Sequence, residues 1–205
     1  MSDPRRTQGE RRSEAERRLL GAAAELIGEV GPSRVTLAGI GERAGYSRGL
    51  ATHHFGSKGT MMQRLVDTVT VEFREAIFQA SQSDSVVDEA KGLIRAYFAA
   101  LSGTHTVNRA RLVLWADAVA AGSPDVRPSM VAADRQFRDE LAKRIERGVS
   151  SGQVPADVDP VGLAGAIVGM LRGTALQYLL DDQLDLARSQ AEVEALVLGR
   201  LQASR

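Results

Sequence analysis

The stretch "GYSRG", residues 45–49, fits G-x-S-x-G, and how it is read decides the fold. As the nucleophile elbow of a serine hydrolase, it would place Ser47 on a strained turn between a strand and a helix, with an acid and then a histidine later in the chain. As the turn between two short helices, it needs no sheet at all. The residues before it, "TLAGIGERA" (36–44), space Leu37, Ile40 and Ala44 three and four apart, which is helical and not alternating. His53 and His54 lie too close to Ser47 to supply the distant base, and only His105 follows them. The elbow therefore has neither its strand nor a fitting partner. A hydrolase using Ser47 is the alternative that these residues disfavour.

Helical spacing continues outward in both directions. Leu19, Ala23, Leu26, Ile27 and Val30 form one stripe, ended by Gly31-Pro32. A short segment from Thr36 to Ala44 and another from Ser47 to Phe55 follow. Ser57 has the position of an N-cap for a long helix carrying Met62, Leu65, Val66, Val69, Phe73 and Ile77. Further stripes run over 85–101, 107–121, 130–149, 159–180 and 189–201, with "GSPDVRP" as a loop and Asp159-Pro160 as a cap followed by proline at the first helical position. With no alternating segment and no repeat, the fold class is all-α, with about nine helices.

Composition excludes several functions. Without cysteine there are no disulfides and no thiolate metal sites. The charged N-terminus has no apolar core of a signal peptide, and the longest nearly apolar run, Val161 to Leu171, is too short to span a bilayer and is followed by Arg172. The expectation is a cytoplasmic protein that makes no membrane contact. Net charge is zero but uneven. Residues 1–60 hold ten Lys and Arg against seven Asp and Glu, while the remainder holds sixteen against nineteen. Paired arginines (5–6, 11–12, 17–18) make the N-terminal end basic, as a polyanion partner would favour.

Two short helices joined at Gly45 make a helix-turn-helix. Thr36 and Ser47 stand where they can cap the two helices, and Gly45 can take the left-handed turn conformation. Leu37, Ile40, Ala44 and Phe55 would bury the inner faces. Arg48, Thr52, His53 and His54 would point outward with groups that can donate to phosphate or a base, and Gly49 would let the helix approach the duplex closely. His53 and His54 are poor metal ligands, since adjacent helical residues point apart and no acidic or cysteine partner has suitable spacing. No cofactor is expected.

Leu19 to Lys58, "LLGAAAELIGEVGPSRVTLAGIGERAGYSRGLATHHFGSK", resembles the DNA-binding region of the TetR family of transcriptional regulators. The resemblance rests on the glycine-ended first helix, Thr36, Ile40, Ala44-Gly45, Ser47, Gly49 and His54-Phe55-x-Ser57-Lys58. Thr52 stands where the family often has tyrosine. The resemblance implies that Thr36, Ser47, Thr52, His54 and Lys58 meet phosphates and that Arg48 and Gly49 face bases, with His53 beside them. It also implies a flexible basic tail (1–14), a three-helix DNA-binding domain (15–58), and a helical effector-binding and dimerisation domain (59–205). The partners it implies are an operator duplex, a small-molecule effector and a second copy of the chain.

A single helix-turn-helix covers too little DNA for high specificity, so a dimer interface is needed. Gly165, Gly169 and Gly173 repeat every four residues on one face of their helix, a spacing that lets two helices approach closely. With Val193, Leu196 and Val197 of the last helix they are the expected interface. Tyr97, Phe98, Trp115, Met170 and Tyr178, which combine apolar bodies with a few polar tips, are the expected effector contacts. The remaining alternative is a helical protein that only assembles with other proteins and never touches DNA.

Overall fold

The computed structural model describes residues 7–102, 106–120 and 123–202, so His105 and residues 1–6 of the expected tail lie outside the described residues. Among the described residues there are nine α-helices and no strand: α1 (Gln8–Val30), α2 (Leu37–Arg43), α3 (Arg48–Phe55), α4 (Lys58–Ala80), α5 (Val86–Ser102), α6 (Thr106–Val119), α7 (Arg127–Ser150), α8 (Pro160–Leu180) and α9 (Leu186–Gln202). A short 3-10 turn, Pro32–Arg34, follows α1. The chain divides into two units, Met1–Val69 with Arg109–Met130 and Thr70–Asn108 with Val131–Arg205. The division falls inside α4 and not at residue 58, because the first turns of that helix bury Met61, Met62, Leu65 and Val66.

In the first unit, α1 starts earlier than expected. Residues 8–14, read as flexible tail, are helical. The cause is a capping box: Thr7 Oγ1 accepts from the Glu10 N–H at 3.2 Å, and the Glu10 carboxylate accepts from the Thr7 N–H at 2.7 Å. One turn on, Glu14 accepts from Arg18 Nε at 3.0 Å and also pairs with Arg17. The bond from Arg18, followed by the charge of Arg17, holds its carboxyl below the ordinary value. Leu19, Ala23 and Ile27 of α1 are fully buried, as is Ile40 of α2 and Ala51 of α3. On α6, Arg109 Nε donates to the Gly28 carbonyl at 2.9 Å, and its stem lies 3.5 Å from where a side chain at Gly28 would begin. Gly28 is thus the seat for α6.

In the second unit an aromatic cluster forms the centre. Phe73 meets Tyr97 edge-on with ring centroids 5.4 Å apart, and Phe137 lies 4.9 Å from Phe78. The Arg144 guanidinium sits 4.4 Å over the Phe78 ring and reaches the buried Glu89 at 3.3 Å, so this charge is paired within the packing. Helix α9 packs on α5 and α8. Helix α7 opens at Arg127, inside the segment expected to be loop; Pro128 falls in its first turn, where no N–H is missed.

Two of the expected interface residues are corrected here. Val193 and Val197 are 7% and 1% exposed and belong to the chain's own core, as does Leu201. Their four-residue spacing puts them together on the side of α9 that packs within its own unit. Leu196, next to Val197 in the chain and so on another side of the helix, is 62% exposed. Helix α8 is, by length and composition, apolar enough to cross a membrane, and only 28% of its most apolar window is buried. It also carries Arg172, paired with Asp134 of α7.

Candidate nucleic-acid interface

The turn between α2 and α3 is built from two glycines with different duties. Gly45 has φ +77, a left-handed conformation that costs any side chain. Gly41 is buried, and a methyl group there would sit 2.7 Å from the Ser47 carbonyl oxygen. Its bare Cα lets the start of α3 lie directly on α2, and the Tyr46 N–H donates to the Gly41 carbonyl at 2.8 Å. Sequence reasoning missed Gly41; its signal was a second glycine inside a seven-residue helix.

Thr36 caps α2 as expected, its Oγ1 accepting from the Gly39 N–H at 3.1 Å. Ser57 caps α4, accepting from the Thr60 N–H at 3.0 Å. Ser47 has the extended backbone of an N-cap, but its side chain makes no capping bond, contrary to expectation. Its hydroxyl is exposed, and no described residue takes it.

Along α3, Ala51 and Phe55 turn inward. Arg48, Gly49, Thr52 and His53 are exposed, and nothing lies within 4 Å of where a side chain at Gly49 would begin. These four residues share the exposed side of α3, and Ser47 and Thr36 are exposed as well.

Two expected members are not exposed with them. The His54 ring is only 10% exposed; Nε2 lies 3.3 Å from Glu16 Oε2 of α1, and the ring meets Phe55 edge-on. Its spacing of three from Ala51 puts it on the inner side. Lys58 is half-buried and its Nζ donates to the Ser33 carbonyl at 3.0 Å, tying the start of α4 to the 3-10 turn. Both side chains meet partners within their own unit.

Further ties escaped the sequence reading. Arg43 of α2 grips Glu29 of α1 with both terminal nitrogens, at 2.9 and 2.8 Å, and Glu25 at 3.2 Å. These bonds depress the Glu29 carboxyl and raise the guanidinium of Arg43. The signal was Glu25 and Glu29 at i,i+4, a like-charge pair that invites a cation from elsewhere. Arg48 pairs with Glu42 of α2. Among the described residues no group of three His, Asp or Glu side chains gathers as a metal site would require.

Of the expected effector contacts, Tyr97 and Phe98 are buried in the second unit, Met170 and Tyr178 are half-buried there, and Trp115 is half-buried in the first. Gly165, Gly169 and Gly173 have room beside them: apart from the backbone of their own helix, no described atom lies within 4 Å of a side chain started at any of them.

Comparison with known proteins agrees with this geometry. Residues 19–65 match the family described as bacterial regulatory proteins, tetR family, and residues 87–202 match BetI-type transcriptional repressor, C-terminal. The HTH-type transcriptional regulator BetI of Stenotrophomonas maltophilia is 26% identical over 189 residues, covering 91% of this chain and 92% of that protein. Among solved structures, the fatty acid degradation regulator FadR from Bacillus halodurans superposes with a TM-score of 0.77 at 20% identity, covering 91% of this chain and 96% of that one. A SmeT–triclosan complex gives 0.77 at 23%, covering 91% and 90%. A helix-turn-helix with an outward α3, an all-helical remainder and two family matches that span most of the chain make it a DNA-binding transcriptional regulator, not an enzyme, and a member of the TetR family with a BetI-type C-terminal domain.

Proposed function

We propose that this regulator binds its operator as a homodimer joined through α8 and α9, represses the adjacent gene, and is released by a small molecule held in the second unit. The observation that carries the dimer is the open glycine column of α8. At three glycines four residues apart an added side chain would meet no described atom within 4 Å beyond the backbone of its own helix; Val161 and Leu180 of the same helix are 74% and 90% exposed, and Leu196 of α9 is 62% exposed. An apolar helix face of that kind needs cover, and a second copy supplies the same surface back in two-fold fashion. A membrane is the poorer occupant, because α8 carries the paired Arg172. This reading places the protein in the cytoplasm, with its DNA.

On the operator, Ser47, Thr52, His53 and Thr36 meet phosphates, and Arg48 with Gly49 faces base edges. The effector contacts Tyr97, Phe98, Met170 and Tyr178, and it favours a state of the dimer whose two recognition helices no longer match the half-site spacing. Its chemical identity is left open. Footprinting on the DNA flanking the gene tests the reading. The expected result is one protected, two-fold symmetric site overlapping the promoter, with half-sites separated by whole helical turns. Protection of a single half-site, or none, would overturn it.

A further inference from the structure

The recognition end carries an acid where a polyanion is to be bound. Glu42, in the last turn of α2, is exposed, and its Oε1 accepts from Nε of Arg48, the first residue of α3. As a stability device this pair is weak, since exposed ion pairs add little. As a DNA-binding device it looks wrong in sign, because a carboxylate beside the contact face repels phosphate.

The atom that Glu42 engages resolves this. A guanidinium offers five N–H donors in a fixed fork. Arg43 spends both terminal nitrogens on Glu25 and Glu29. Arg48 gives up only Nε, and no described residue accepts from its terminal nitrogens. Those two nitrogens are the donors that bond O6 and N7 of guanine together. A free arginine loses rotamer freedom when DNA orders it, and one already held loses less.

We infer that Glu42 is a positioning residue for base recognition: it fixes the direction of the Arg48 guanidinium before DNA arrives, and its charge weakens binding to duplexes that offer no guanine at that place. This rests on the reading of Arg48 as a base-facing residue. The cost to non-specific binding and the gain in base discrimination come from one side chain.

The test selects binding sites from a randomised duplex pool with the full-length wild type, Arg48→Ala, Glu42→Ala, Glu42→Gln and the double variant Glu42→Ala/Arg48→Ala. Arg48→Ala should lower the preference for one G·C pair by roughly 5- to 150-fold. Glu42→Ala should lower the preference at the same pair by about threefold or more, and tighten binding to unselected duplex at low salt. Glu42→Gln keeps an accepting oxygen without the charge, so it should retain the preference while still tightening unselected binding. In the Arg48→Ala background, Glu42→Ala should change the preference no further. If Arg48→Ala relaxes one position and Glu42→Ala does not, the inference fails and the assignment of Arg48 stands. If Arg48→Ala leaves every position unchanged, the assignment falls and takes the inference with it. A Glu42→Ala variant that loses preference at all positions, with a lower melting temperature, shows a merely structural tie and also overturns it.

Discussion

His54 and Thr52 sit two residues apart on α3 and differ in exposure. Thr52 and His53 are exposed, while His54 is pressed between Glu16 and Phe55. Losing an uncharged phosphate contact weakens binding about equally on all duplexes, while the salt slope counts only neutralising cations. Thr52→Val or His53→Ala should therefore weaken affinity uniformly across duplex sequences, read by fluorescence anisotropy. His54→Ala should leave the affinity of the folded protein alone and lower unfolding stability by about 1–3 kcal/mol, the cost of lost packing against Phe55 and the contact with Glu16, read by urea denaturation. Uniformly weakened DNA binding by a stably folded His54→Ala would put the ring back on DNA. The sequence made the motif legible but not this division. Both histidines can donate to phosphate, and only the spacing of Ala51, His54 and Phe55 separates them, a pattern too short to read with assurance in an eight-residue helix. Lys58 was illegible for a different reason: its acceptor, the Ser33 carbonyl, lies 25 residues back and belongs to the backbone.

At the scale of elements, three glycines of the helix-turn-helix should respond differently to the same change. Gly41→Ala drives a methyl into the Ser47 carbonyl and should cost about 1–3 kcal/mol. Gly45→Ala meets no atom but must hold φ +77, at about 1–2 kcal/mol. Gly49→Ala has open space in a helix and should be neutral or stabilising by up to about 1 kcal/mol, while its methyl group obstructs the approach to DNA. Thermal melting with a DNA-binding assay separates the three, and equal losses of stability would refute the division. The grip of Arg43 on α1 adds an acid limit. Glu29's pKa is depressed in the fold, so its contribution is complete above the ordinary 4.5 and disappears as pH falls through the lower, folded value. Glu29→Gln should flatten the acid limb of a stability–pH curve. The turn and its positive-φ glycine were legible because each leaves a local mark. The start of α1 also had such a mark, Thr7-x-x-Glu10, but the arginine-rich segment behind it carries no apolar stripe, and the stripe was the cue followed.

For the whole molecule, the exposed side of α8 and the buried side of α9 set the expectations. Gly169→Leu or Leu196→Asp should shift sedimentation from dimer to monomer and reduce operator affinity steeply. Val193→Ala should lower stability by about 1–3 kcal/mol and leave the oligomeric state unchanged, because that side chain is core. A monomer produced by Val193→Ala, or a dimer surviving Gly169→Leu, would move the interface elsewhere. Helix number and fold class were legible because the apolar stripes run the length of the chain. Which stripe faces inward was not: a period tells that a face is apolar, and the buried α9 residues and the open α8 face look alike until the packing is known.

In the dimer proposed through α8, the column of three glycines also bears on coexistence. A seam with three bare glycines fits only a mate that comes equally close, so a sibling regulator bearing even a modest side chain at any one of those places would be held off by its own bulk. Copies of this chain would then find each other amid many similar proteins by the lack of an obstruction and not by a matching chemical signature, and mixed pairs reading hybrid sites would be screened out at assembly.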